Sequence, residues 1–259
     1  MPQENSAGNI FEELARKYGK PGDPDFHNNL GNAYQGQGKL DEAIAEFHEA
    51  LRLKPSDEVY HCNLAVALAL KGDHEEALRE YREALRLEPH DYQSHYNMGN
   101  LLFKMGRADE AIAAYLKAIE SDPERPEGHF NLAGSYWQQS RTAEAAVHYE
   151  KALAGGIGSR EAAGAHLRLG AAYTEAKEWN KAEKHLLAAL ESMPDHFMTN
   201  YCLALVYLNI DWGKMNWTAR AKALMFAEKA RELDPDDDDA RQLAMAALAG
   251  CEKEKPPAG

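Results

Sequence analysis

Apolar and small residues recur along the chain at i, i+3/i+4 and i+7, the spacing of helices that bury one face. The helices come in pairs. Asn-Leu-Gly at 29–31 returns as Asn-Leu-Ala at 63–65, Asn-Met-Gly at 97–99 and Asn-Leu-Ala at 131–133, each step being 34 residues. Behind these lie Ala43, Ala77, Ala111 and Ala145, then the aromatics Phe47, Tyr81, Tyr115 and Tyr149, then Ala50, Ala84, Ala118 and Ala152. Gly38, Gly72 and Gly106 are placed to stop the first helix of a pair, and Asp41 and Asp109 to cap the second. Pro55, Pro89 and Pro123 close the first three units.

A fifth copy follows three extra residues and keeps Leu169, Gly170, Tyr173, Ala182, Leu186, Ala189 and Pro194. A sixth keeps Leu203, Ala204, Tyr207, Ala223, Ala230 and Pro235 around an insertion at 211–217. The predicted layout is a tail and capping helix over 1–23, with the helix at 9–18. Six units starting at 24, 58, 92, 126, 163 and 197 fill 24–237, with insertions near 160–162 and 211–217. A C-terminal capping helix and tail occupy 238–259. A single helix pair cannot bury its own apolar face, but stacked pairs can.

The pattern His27-x2-Leu30-Gly31-x2-Tyr34, Ala43-x3-Phe47, Pro55, with its later copies, resembles the tetratricopeptide repeat (TPR) family. The steady departure is histidine where that pattern has tryptophan. The resemblance implies an all-α, right-handed α-α superhelix whose first helices line a concave groove, with repeat positions two, five, six, nine, twelve and thirteen facing a ligand. Position six reads Asn29, Asn63, Asn97 and Asn131, then Arg168 and Cys202. This column is similar to the asparagine ladder in the repeat region of O-GlcNAc transferase; no catalytic domain accompanies it, so only the binding idea transfers. Asparagine offers both a donor and an acceptor, so a column of them suits successive amides of an extended peptide. Asn32 and Asn100 add amides at position nine. Tyr96, Phe103, Phe130 and Trp137 add an aromatic strip, and Cys62, Val66 and Ala69 an apolar stretch. Family members that clamp acidic chaperone tails use two lysines, and those positions hold other residues here.

His27, His61, His95, His129 and His166 repeat at position four. Successive first helices lie roughly 10 Å apart, whereas zinc takes its ligands at about 2 Å, so consecutive rungs cannot share an ion. The rings read instead as half-buried packing groups. Gly155-Gly156-Ile157-Gly158-Ser159 interrupts the fourth unit and reads as a flexible joint. Trp212 and Trp217 mark an edge loop in the sixth. The acidic run at 234–239 reads as helix capping, because it lacks the glycine and terminal glutamate of a calcium loop.

Lys plus Arg number 29 and Asp plus Glu 42, a net charge of −13. That balance opposes nucleic-acid and anionic-membrane binding. It favours a partner with basic and apolar residues, with Asp25 and Glu127 at groove positions. Three scattered cysteines offer neither a disulfide framework nor a zinc site. No signal segment or membrane span is visible, and a cytoplasmic location is expected. No nucleophile–base pair or metal spacing stands out, so neither catalysis nor a cofactor is expected. The sequence thus predicts a non-catalytic scaffold or adaptor that binds a partner segment, with a self-assembling structural protein as the rival.

Overall fold

The computed structural model of the protein describes residues 20, 22–210 and 217–252, which form thirteen helices and no strand. The chain divides into two compact units at residues 124 and 125.

The first unit holds three helical hairpins: α1 (Pro24–Gly36) with α2 (Leu40–Leu53), α3 (Glu58–Lys71) with α4 (His74–Leu87), and α5 (Tyr92–Lys104) with α6 (Ala108–Ser121). The turn inside each pair is short, which makes the two helices antiparallel neighbours. Gly38, Gly72 and Gly106 provide it with φ of 74°, 103° and 76°, a backbone that L side chains resist. Asp23, Asp57 and Asp91 cap the first helices, each side chain accepting from a backbone N–H two or three residues on. Asp41 and Asp109, expected as caps of the second helices, lie inside the first turn instead. The capping positions are Lys39 and Arg107, whose side chains make no cap bond. An aspartate in that first turn still favours the helix dipole, and Asp41 also pairs with Lys71 at 2.7 Å.

Between the helices of a pair, the predicted small positions are buried. Ala43, Ala77, Ala111, Ala50, Ala84 and Ala118 are all fully enclosed. A Cβ at Gly31 would stand 2.7 Å from the Phe47 ring, and one at Gly99 2.7 Å from Tyr115. Glycine there lets a large ring from the second helix lie flat against the first helix's backbone. α2 packs on α3 and α4 on α5, so each hairpin covers the next.

The second unit holds α7 (Pro126–Gln138) with α8 (Thr142–Ala154), α9 (Ser159–Glu175) with α10 (Trp179–Ser192), α11 (Phe197–Asn209) with α12 (Trp217–Leu233), and the terminal α13 (Asp238–Glu252). Ser140 and Lys177 hold the within-pair turn position at φ 58°, where the first unit has glycine. α9 starts at Ser159, before the expected unit start at 163. The helix therefore takes in residues 159–162 and runs for 17 residues. The preceding glycines have structural reasons: Gly156 takes φ 82°, and a Cβ on Gly155 would stand 2.9 Å from the Pro126 Cβ. α13 packs on α12 and touches α11, burying Ala240, Leu243, Ala244, Ala247 and Cys251. Asp237 accepts the Ala240 N–H at 2.7 Å, so the acidic run does cap a helix. All three cysteines, Cys62, Cys202 and Cys251, are buried thiols. The expected helix at 9–18, Trp212 and most of the insertion, and the tail beyond 252 lie outside the described residues.

Candidate functional site

In the first unit, the helices that open each hairpin carry seven of the singled-out residues. Asn29 and Asn32 are exposed, and Asn63, Asn97 and Asn100 are half-buried. The amides are tied into the fold. Asn63 Nδ2 donates to Asn28 Oδ1 at 2.8 Å, linking α3 to α1. Gln93 Nε2 donates to Asn97 Oδ1 at 3.0 Å, and the Tyr115 hydroxyl donates to Asn100 Oδ1 at 2.8 Å. Between α3 and α5, Asn97 and Asn100 border an open cleft of about 190 Å³ whose lining also includes Val66, Ala69, Leu70, Tyr81, Leu101 and Lys104. Leu70 is 59% exposed there, although it sits on a well-packed helix. Phe103 is exposed at 37%. Tyr96 stacks on Tyr92 at 5.6 Å and tilts against Tyr115 at 6.1 Å, so it packs between helices as well as facing outward.

One expectation needs correction. Cys62 is buried rather than exposed on the groove wall, and burial pushes its thiol upward. Asp25 is exposed, and one of its carboxylate oxygens accepts the hydroxyl of Tyr60 from the next hairpin. That hydroxyl is held in its neutral form by burial and by the carboxylate.

In the second unit, Asn131 on α7 is half-buried, as are Phe130 and Trp137. Phe130 meets the buried Tyr149 edge-on at 5.7 Å. From α9, the Arg168 guanidinium lies 5.8 Å from the same Tyr149 ring, a cation–π arrangement. A second cleft, of about 460 Å³, opens among α8, α9 and α10, with Val147, Glu150, Tyr173, Glu175 and Lys181 in its lining.

The histidine row has a partner that sequence reasoning missed. His27 Nδ1 meets Glu46 at 2.7 Å, His61 meets Glu80 at 2.6 Å, and His129 and His166 meet His148 and His185 at 2.9 Å each. Every partner lies 19 residues downstream, on the second helix of the same hairpin. The readable signal was that constant separation between two polar residues. Among the described residues no group of three or more metal-ligating side chains forms, and no helix is long and apolar enough to cross a membrane.

The comparisons agree with the repeated helix pairs. Models described as tetratricopeptide repeat match residues 24–57, 96–160 and 136–198, and one described as TPR repeat matches 67–106. No curated protein matches the chain in sequence. Among solved structures, YrrB, described as a TPR protein with an unusual peptide-binding site, has a TM-score of 0.64 at 22% identity, covering 78% of this chain and 97% of its own. PilF of Pseudomonas aeruginosa has a TM-score of 0.65 at 21% identity, covering 86% and 97%. MamA from Desulfovibrio magneticus RS-1 has 0.57 at 20%, covering 65% and 93%. At such identities the likeness concerns the fold, which is all-α. Helix pairs, buried small positions and matching models together make residues 24–57 and 67–198 tetratricopeptide repeats.

Proposed function

We propose that the protein is a non-catalytic scaffold that holds an extended segment of a partner protein against the first helices of its repeats. The observation that carries this reading is the cleft between α3 and α5. It has an apolar wall of Val66, Ala69 and Leu70 beside the amides of Asn97 and Asn100. The wall suits an apolar side chain, and the amides suit the peptide's main chain, which is how grooves bind extended segments with modest sequence demand. In the second unit Phe130, Asn131, Trp137 and Arg168 offer the same mixture. The fold likeness to YrrB, described as having a peptide-binding site, supports a peptide as the ligand. A net charge of −13 favours segments with basic residues among apolar ones.

The test is a peptide selected from a random library on the native protein, then measured by calorimetry against variants. Asn97→Ala removes one partner of a desolvated amide, worth roughly 1–3 kcal/mol, so affinity should fall about tenfold or more. Leu70→Glu should abolish binding. Native affinity in the double variant would overturn the reading. Asn63 is a poor probe, because its amide also holds the buried Asn28 and its loss would disturb the fold.

Self-assembly is the second reading. It rests on Met245, 63% exposed, and Leu248, 45% exposed, on the terminal helix α13. Light scattering decides it: a mass that rises with concentration in the native protein but not in Met245→Glu would favour homotypic contact.

A further inference from the structure

The polar clasp between the two helices of a hairpin has two chemistries. In the first two hairpins the histidine faces a carboxylate, Glu46 or Glu80. In the third, the residue at the partner position is Ala114, and His95 contacts the Pro89 carbonyl at 3.0 Å through Nε2. In the fourth and fifth, histidine faces histidine, Nδ1 to Nδ1 at 2.9 Å. We infer that the hairpins α7–α8 and α9–α10 form an acid-opened segment, held at neutral pH by a single shared proton in each histidine pair and released when both rings of a pair are charged.

The chemistry follows from counting protons. At 2.9 Å one Nδ1 must donate and the other accept. The pair works with both rings neutral, one in each tautomer. It still works with one imidazolium donating to a neutral ring. It fails when both carry protons, because two N–H groups and two positive charges then face each other. The two rings titrate as a unit rather than singly.

The surroundings resist that charge. His129 and His185 are almost fully enclosed. The Tyr136 ring stacks on His148 at 5.8 Å, and Tyr173 on His185 at 5.7 Å, so each pair is roofed by a ring from its own hairpin. The charged group acting on His148 besides His129 is Lys151 of α8, which opposes protonation. Around the second pair, Lys181 and Lys184 of α10 oppose it, while Glu150 of α8 and Glu191 of α10 favour it. Burial comes first and the partner's charge second in lowering His148 to about 4, and the same order lowers His185 to about 4. His166 is lowered by burial.

The sign is as follows. A histidine lowered in the fold adds stability that is complete above its unfolded value of 6.5 and is lost as pH falls toward 4. His61 shows the reverse: its bond to Glu80 raises it, so its contribution is complete in mild acid and lost as pH rises. Acidification thus tightens α3–α4 and loosens α7–α8 and α9–α10. Phe130 and Tyr149, the direct neighbours of His129 and His148, touch across the same hairpin, so its opening also separates the aromatic pair near Arg168.

The experiment is hydrogen exchange on the ligand-free protein at pH 7.5, 6 and 5, corrected for intrinsic rates. It does not depend on the groove binding a peptide. With a shift from 6.5 to about 4, the opening equilibrium at pH 5 should rise about 30-fold per lowered histidine. Amides of 126–154 and 159–192 should gain that speed, and those of 58–87 should not. His148→Glu and His185→Glu recreate the first two clasps and should remove the acceleration in their own hairpins. Nitrogen NMR of the native protein gives an independent reading should a variant fail to fold. One ring of each pair should carry its neutral proton on Nδ1 and keep it below pH 6. Equal exchange at pH 7.5 and 5 in 126–192, or four histidines with ordinary titration near 6.5, would overturn the inference.

Discussion

Gly99 and Gly134 sit in the middle of comparable helices and predict opposite outcomes. A Cβ at Gly99 would press on the Tyr115 ring at 2.7 Å, while one at Gly134 would meet nothing nearer than 3.9 Å. Gly99→Ala should cost about 1–3 kcal/mol through overpacking. Gly134→Ala should raise stability by roughly 0.5–1 kcal/mol through helix propensity. Thermal melts of the two variants check this, and equal shifts of one sign would refute it. The demand for a small residue at Gly31, Gly99 and Gly170 was legible in the sequence, because a close helix approach leaves a periodic trace. Ser140 and Lys177 were not legible. A left-handed turn filled by serine or lysine looks like any polar position, and the repeat geometry imposes φ 58° on it regardless.

Caps decide where the helices begin. Asp57 accepts from the backbone N–H groups of Val59 and Tyr60 at 3.1 and 3.2 Å. Asp57→Ala should therefore cost roughly 0.5–2 kcal/mol. Asp41→Ala, which removes an exposed ion pair and a first-turn charge but no cap bond, should change stability by under about 1 kcal/mol. Urea titrations of both variants measure the contrast, and an equal loss would contradict the assignment of caps. Sequence spacing misplaced these caps by two positions: a second helix begins right after its turn, so the capping place falls on Lys39 or Arg107. Of the expected groove residues, Asn97 and Asn100 line the cleft between α3 and α5. The bond from Asn63 to Asn28 was not legible, because it joins consecutive repeats through positions that periodicity treats as equivalent and independent.

At the scale of the molecule, each unit contains three hairpins and its own buried core, and three repeats are about the minimum that can bury a continuous face. Residues 1–124 and 125–259, expressed separately, should each be helical and melt cooperatively. Circular dichroism tests this directly; a unit without a cooperative transition would show that its stability is borrowed. Fold class was readable from the sequence because every unit restates the same small and apolar positions. The division at 124 and 125 was not, since the period runs through it unbroken.

The buried thiols have a practical consequence. Only a thiolate is alkylated readily, and burial raises Cys202 to about 11 and pushes Cys62 upward too. The folded chain is therefore nearly silent toward iodoacetamide. Each cysteine becomes reactive only when its own helix opens: Cys62 reports on α3, Cys202 on α11 and Cys251 on α13. Mass spectrometry of a pulse-labelled sample can thus time three separate openings in one unmodified chain, with no engineered reporter.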